Sequence, residues 1–434
     1  MRFLLAALMC FVVLAQAATA QGLIRDAEIE QVLADLTAPL ERAAGLAPGS
    51  TNIFIVNDRE MNAFVTGGQN IFIHSGLIQR LPRADMLQAV IAHELGHITA
   101  GHITARSFEI AQAERNSAAG AVLGLIVGLA GAPGAGVAIA SGAQGTAEGL
   151  LRAYTRDQEA TADQLGARYM DLARIDPGAM LDTLDLFRGQ DLLSTARQDE
   201  YAQSHPLSST RIDLLSRRAD NASSRGATVD PATEEAYRRM QAKFDGFLRG
   251  PSDALRRVEG RTDMAARIQR AVAMHRIPDL GAALREIDAA LAIEPQNPWL
   301  HELKGQFLLE AGQAEAAVGP YRQAVTLRPD APLLRAGYGR ALLATGQNNA
   351  EALRQLSAAR EGATGTPLSL RALAEAHARA GNTAQAALYT AERYALNREV
   401  EDALRFARRA AEGLPNGSPD WIRAQDLIAV LERL

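Results

Sequence analysis

Two histidines four residues apart, His93 and His97, bracket Glu94 at the end of an apolar run, Met86 to Ala92, that holds no glycine or proline. Such a run reads as a helix. On a helix, positions four apart lie one turn above each other, so both imidazoles can reach one ion. Glu94, one step round, can touch a water bound to that ion. Zinc lowers the pKa of its water and polarises a carbonyl, while the carboxylate relays the proton to a leaving amine. The pattern predicts peptide hydrolysis, against the alternative of a surface helix with incidental histidines. It also constrains the fold, because two protein ligands hold zinc weakly and a third has to come from another part of the chain.

Residues 156–170 read as a second helix, with Glu159 and Asp163 one turn apart. Glu159 is the candidate third ligand. Asp163 is its helper, a carboxylate that accepts the free N–H of a zinc-bound histidine and so fixes its tautomer. The competing reading is an amphipathic helix with two solvated acids. His102 lies five residues beyond His97, about 140° round a helix from it, and misses the spacing in which a further histidine follows six residues after the second. It is read as structural, or as a support to a ligand.

Several ordered motifs carry a resemblance: residues 52–58, Met61 to Phe64, Gly67 to Ile78, the segment from Ala89 to His102, and Glu159 to Asp163. Over roughly residues 45–220 the chain resembles zinc metallopeptidases of the HtpX and CAAX-prenyl-protease type. The resemblance implies that His93, His97 and Glu159 hold the metal and that Glu94 is the general base. Thr66 stands where many relatives carry a proline, which bears on the turn and not on the metal.

Met1-Arg2, the apolar stretch Phe3 to Leu14, and Ala18-Thr19-Ala20 before Gln21 form the three regions of a secretory signal peptide. A lipoprotein reading through Cys10 is disfavoured by Met9 before it and by the apolar run after it. Cleavage after Ala20 removes the only cysteine, so disulfides contribute nothing to the mature chain. The net charge is −5, and the 45 basic residues, of which only Lys243 and Lys304 are lysines, are interleaved with acids. No basic patch for nucleic acid results.

The 434 residues exceed what one core usually serves. A polar stretch from about Asp220 to Gly260 reads as a linker with short helices, and beyond it comes a repeat. Pro295 and Pro329 lie 34 apart, and Gly312, Gly346 and Gly381 recur at 34 and 35, the tetratricopeptide period. Gly305, Ala317, Tyr321, Ala324 and Pro329 occupy the small, aromatic and terminating positions of one helix-turn-helix unit. Ala283, Ile287, Ala290 and Pro295 echo it upstream, as do Gly339 and Leu342 downstream. About four units are expected, stacked into a superhelix whose concave face binds another polypeptide.

From 116 to 147 there is no charged residue. That is long enough to cross a bilayer, but glycines and Pro133 interrupt it. It is read as a buried or mobile helical hairpin near the active site with possible peripheral membrane contact. The segment Gln203 to Arg211 holds an isolated His205-Pro206 and resembles the element that follows the glutamate helix in the BepA-like periplasmic group. There the matching histidine approaches zinc and restrains activity, a role that would fall on His205. Two other roles stay open: His205 or Arg211 as a donor to the oxyanion of the tetrahedral intermediate, or a turn terminator and an acid partner. Asn52–Val56 and Asn70–Ile73 read as strands, so a small sheet lies beside the zinc helix, and an extended substrate can add to its edge. His74, at the end of the second strand, either lines that cleft or is structural.

The expected fold is therefore mainly α: a gluzincin-type α+β metalloprotease part with a small sheet, followed by an all-α tetratricopeptide superhelix. The expected division is signal peptide 1–20, protease 21–220, linker 221–262 and repeats 263–434. The expected activity is that of a periplasmic endopeptidase with one zinc per chain. By resemblance, its substrates are outer-membrane proteins and its repeats dock on outer-membrane assembly machinery. An assembly adaptor or chaperone with a latent protease is the other class of function.

Overall fold

The computed structural model describes residues 22–102, 154–190, 198–362 and 366–433. The expected signal peptide, Cys10 and the uncharged segment 116–147 lie outside the described residues.

The chain opens with a short strand β1 (Leu23–Ile24) and a helix α1 (Ala27–Ala43). Asp26 caps α1 by accepting the Ile29 N–H at 3.0 Å, which satisfies one of the donors a helix start leaves free. Strands β2 (Asn52–Val56), β3 (Ala63–Thr66) and β4 (Asn70–His74) follow. The sheet order is β1-β2-β4-β3, with β2 and β4 parallel and the outer strands antiparallel to their neighbours. Two of its four strands were read from the sequence. β1 spans only two residues, and β3, Ala63-Phe64-Val65-Thr66, carries no alternation of polar and apolar residues, so neither is marked in the sequence. The consequence is functional, since β3 is an edge strand among the described residues.

Helices α2 (Ser75–Arg80) and α3 (Ala84–Thr99) lead from the sheet into the core. Nearly all of α3 is buried, from Ala84 to His97. Helix α4 (Arg156–Leu172) packs across it, opened by a capping box between Thr155 and Gln158. After α5 (Gly178–Asp185) come α6 (Glu200–Ser204) and α7 (Ser209–Asp220), the latter capped by Ser208.

The stretch expected as a linker holds α8 (Pro231–Leu248), an 18-residue helix, and α9 (Pro251–Arg257). Helix α8 buries Tyr237, Met240 and Phe244 in the same core as α3 and the sheet, and its Ala242 in the first core of the repeats. It is a joint with an apolar stripe on both sides.

Ten helices then form five pairs: α10 (Met264–Arg276) with α11 (Leu280–Ile293), α12 (Pro298–Glu310) with α13 (Ala314–Leu327), α14 (Pro332–Thr345) with α15 (Asn349–Gly362), α16 (Pro367–Arg379) with α17 (Thr383–Leu396), and α18 (Val400–Gly413) with α19 (Pro419–Leu431). One pair more than expected is present. The last unit begins at Val400 without the first-turn proline that opens the three before it. The glycines explain the close stacking. A Cβ on Gly305 would lie 2.7 Å from the Tyr321 ring and one on Gly337 only 2.3 Å from it. Among the described residues, no helix is long and apolar enough to cross a membrane.

Candidate metal centre

Helices α3 and α4 meet at two glycines. A Cβ on Gly96 would fall 2.6 Å from the carbonyl oxygen of Ala162, and one on Gly166 would fall 3.1 Å from the carbonyl carbon of Ala92. Backbones can approach this closely only without side chains between them. Glu159, three residues before Ala162, is thereby carried onto the face of α3 that bears His93 and His97.

There the donors converge. The Nε2 atoms of His93 and His97 lie 3.0 Å apart. His97 Nε2 is 3.2 Å from Glu159 Oε1, and His93 Nε2 is 3.6 Å from Glu159 Oε2. His205, which ends α6, brings Nδ1 to 3.0 Å from Glu159 Oε1 and 3.3 Å from His93 Nε2. Its Nε2 is 3.5 Å from Glu94 Oε1 and 3.2 Å from the carbonyl oxygen of Ala63 on β3. One ligand atom from each of His93, His97, Glu159 and His205 lies within 4.8 Å of all the others, and all four residues are buried.

This donor set fits a divalent cation. Two buried imidazole nitrogens face each other, with a carboxylate and a third imidazole beside them. Both oxygens of the fully buried Glu94 lack any hydrogen-bond partner, which is costly for a carboxylate unless water or an ion completes the site. Nitrogen and oxygen donors of this kind suit zinc.

Around the donors the charges are held in place. Asp163 Oδ1 is 2.9 Å from His93 Nδ1, and Arg211 is paired to both oxygens of Asp163 through Nε and Nη2. Arg211 Nη1 is also 2.6 Å from Glu159 Oε2 and donates to the carbonyls of His205 and Pro206 at 3.2 Å. The guanidinium is thus committed to the protein's own acceptors. That geometry favours its holding Glu159, Asp163 and the His205 turn over its reaching a substrate oxyanion.

Electrostatics follow from burial and charge. Burial pushes the Glu94 carboxyl up, against the pull of His205 and His93. Burial acts the same way on Glu159, yet His205 and Arg211 hold it well below the usual carboxylate range. Burial pushes Asp163 up too, but Arg211 and His93 together outweigh it and lower the carboxyl. Burial drives His97 well below the ordinary imidazole value. His205 is raised, because Glu159 and Glu94 outweigh burial.

His102 stands outside the donor cluster, its Nδ1 3.0 Å from Nδ1 of His97. His74 is buried at the end of β4, its ring edge-on to Phe64. Two aromatic residues were missed from the sequence. Tyr154 stacks on His97 at 3.8 Å between centroids, and Tyr201 lies 4.5 Å from the His205 ring. Their positions before Thr155 and within the short α6 carried no periodic signal that could have marked them.

Residues 23–219 match Peptidase family M48. A β-barrel assembly-enhancing protease of Escherichia coli (strain K12) is 28% identical over 423 residues, covering 95% of this chain and 85% of that protein. A protein of the same description from Yersinia pestis is 26% identical over 420 residues, covering 95% and 85%. The mitochondrial metalloendopeptidase OMA1 of Schizosaccharomyces pombe is 28% identical over 196 residues, 43% of this chain and 52% of its own length. The match spans the stretch that supplies every donor above: residues 23–219 are similar to peptidase family M48 and bring together the donor set of a zinc metallopeptidase, ahead of the stacked helix pairs.

Proposed function

We propose that this chain is a zinc-dependent endopeptidase of the periplasm that hydrolyses misassembled or unfolded outer-membrane proteins as part of their quality control and assembly. The observation that carries the reading is the convergence of four buried donors within 4.8 Å, beside a Glu94 whose oxygens have no partner. His93, His97 and Glu159 hold one zinc per chain, and His205 occupies the remaining side of the site. Zinc in such a site supplies Lewis-acid polarisation of the scissile carbonyl and lowers the pKa of a water.

The chain's own residues do the rest. Glu94 takes the proton of the attacking water at a carboxylate oxygen and returns it to the leaving nitrogen. Asp163 keeps the His93 ring in one tautomer, and Arg211 holds Asp163 and Glu159 together. An extended substrate adds to the outer edge of β3, in place of the His205 ring, by main-chain hydrogen bonds. His205 restrains the enzyme, since its ring takes the edge-strand carbonyl of Ala63 as well as the place beside Glu159. The competing role, an oxyanion donor, falls to the same ring once it has moved. The division into protease 21–220, joint 221–262 and repeats 263–434, after a signal peptide 1–20, belongs to the same proposal.

A second reading is an assembly adaptor with a largely latent protease. It is favoured by a cavity of about 460 Å³ between β1, α8 and the repeat helices α12 to α16, lined by Lys243, Glu302, Tyr321 and Arg340 among others. Such a groove suits a polypeptide from the assembly machinery.

The deciding experiment measures zinc content and casein cleavage on wild type, Glu159→Ala, Glu94→Gln and His205→Ala. One zinc per chain, lost in Glu159→Ala, with cleavage rising in His205→Ala and absent in Glu94→Gln, is the expected result. Zinc retained without Glu159 would sink the third-ligand assignment. Full support of outer-membrane integrity by Glu94→Gln would move the function to the adaptor.

A further inference from the structure

The sheet carries a row of phenylalanines that ends at β3, an edge strand among the described residues. Phe54 on β2 is the direct partner of Phe72 on β4, and Phe72 is the direct partner of Phe64 on β3. Their rings stack in sequence, at 5.0 Å and 22° for Phe54 and Phe72, and at 5.2 Å and 9° for Phe72 and Phe64. Neighbouring positions on β3 point the other way. Ala63 and Val65 are buried in the core, whereas Phe64 is half-buried on the opposite face.

The pleat then says which main-chain groups of β3 are available. Asn62 accepts the His74 N–H at 2.9 Å, so residues 62 and 64 turn their main-chain groups towards β4, and Ala63 and Val65 turn theirs to the open edge. The contact of His205 with the Ala63 carbonyl agrees with this. That carbonyl is separated from Glu94 and Glu159 by a single imidazole ring. A polypeptide strand that bonds to Ala63 and Val65 thus lies against the metal centre. The residue between its two bonding positions sits directly opposite Phe64, about 5 Å away, with its side chain on the phenylalanine face.

We propose that Phe64 is a specificity-determining residue, and that the preferred substrate is an extended segment whose aromatic or large apolar side chain stacks on it as the fourth rung of the Phe54-Phe72-Phe64 row. The inference rests on the peptidase reading above and on edge-strand addition at β3. The His74 ring, edge-on to Phe64 at 6.2 Å and 82°, holds the Phe64 ring from the diagonal position, so the row offers a rigid flat surface. Polar or glycine residues at the rung leave that surface bare. Substrate choice then follows the apolar alternation of an unpaired strand, which a folded sheet conceals and an unassembled one exposes.

The test maps cleavage sites of denatured casein by mass spectrometry with the His205→Ala enzyme, and then repeats the map with Phe64 varied in that background. An aromatic or large apolar residue is expected at one constant offset from the cut. Phe64→Ala should reduce that preference by roughly three- to tenfold, the range for one aromatic contact, mainly in KM. Phe64→Tyr should preserve it, and Phe54→Ala, three rungs from the substrate, should leave it unchanged. Cuts without a constant offset, a preference that survives Phe64→Ala, or one removed equally by Phe54→Ala would each overturn the proposal. Absence of all cleavage by His205→Ala would instead count against the peptidase reading. In that event, fluorescence anisotropy of a labelled nonapeptide with a central Phe, compared with its Ser variant, on zinc-loaded Glu94→Gln/His205→Ala protein decides separately on Phe64: equal binding of the two overturns it.

Discussion

His205 Nε2 lies 3.2 Å from the carbonyl oxygen of Ala63, while Nδ1 of the same ring is 3.0 Å from Glu159. One side chain thus closes both the metal centre and the acceptor on the sheet edge that an extended chain would use. Removing it should therefore affect binding as well as catalysis. In a Glu94→Gln background, His205→Ala is expected to tighten the binding of an extended unfolded peptide by roughly two- to tenfold, the worth of one freed main-chain hydrogen bond. Fluorescence anisotropy reads this directly, and unchanged affinity would leave His205 as a ligand alone.

The meeting of α3 and α4 depends on glycine, and Gly96 is the tighter contact, a Cβ there falling 2.6 Å from the backbone oxygen of Ala162 against 3.1 Å from the Ala92 backbone at Gly166. Gly96→Ala should push the helices apart and destabilise the protease part by about 1–3 kcal/mol. Zinc content should fall with it, because Glu159 is displaced along with α4. Elemental analysis and thermal unfolding of the same sample check this, and a variant with normal zinc and normal melting would show the contact to be slack.

Lys243 is 1% exposed and is bound at 2.9 Å to Asp26 and 3.2 Å to Glu28. Lys243→Ala removes the buried cation shared by Asp26 and Glu28 at the junction of α1, α8 and the repeats, leaving Glu28 to Arg239 and Asp26 to the Ile29 N–H, a change that typically costs about 3–5 kcal/mol. The pair Arg188 and Asp185 is exposed, at 82% and 55%, and its loss through Arg188→Ala should cost at most about 1 kcal/mol. Denaturant titration of the two variants should separate them clearly. Equal effects would mean that Lys243 is solvated in solution.

Glu302 faces the same junction from α12. Burial, together with Asp26 and Glu28, pushes its carboxyl up to about 7 from an ordinary value of 4.5, against the opposing pull of Lys243. Between those values the folded chain holds a proton that the unfolded chain has released. The stability tied to this group is therefore fully present below about pH 4.5, is lost as pH rises towards 7 and is flat beyond it. Glu302→Gln should be more stable than wild type above pH 7, by at most about 3 kcal/mol, with the advantage fading towards pH 4.5. Melting curves across that range give the difference, and an advantage that grows as pH falls would reverse the assignment.

Much of the site was legible because helical periodicity is local. His93, Glu94 and His97 declare their face by spacing alone, and so do Glu159 and Asp163. The repeats were legible for a similar reason, since each unit repeats the small residues, the Tyr321 position and the closing glycines or prolines that let helix pairs stack. The sequence suggests about four units where five helix pairs stand, and α8 reads as part of a linker because polar neighbours mask its two apolar stripes. Strand β3 is not marked because Ala63-Phe64-Val65-Thr66 carries no alternation of polar and apolar residues.

By itself, then, the sequence determined which residues share a helical face and which stretches repeat, because both depend on contacts within a few turns of chain. Only the tertiary structure decided that α4 meets α3 at Gly96 and Gly166, that β4 inserts between β2 and β3 so that β3 is left as an edge, and that the turn after α6 carries His205 to both. Those outcomes depend on which surfaces can approach closely enough to exclude water, and that is a property of the whole packed core and not of any one segment.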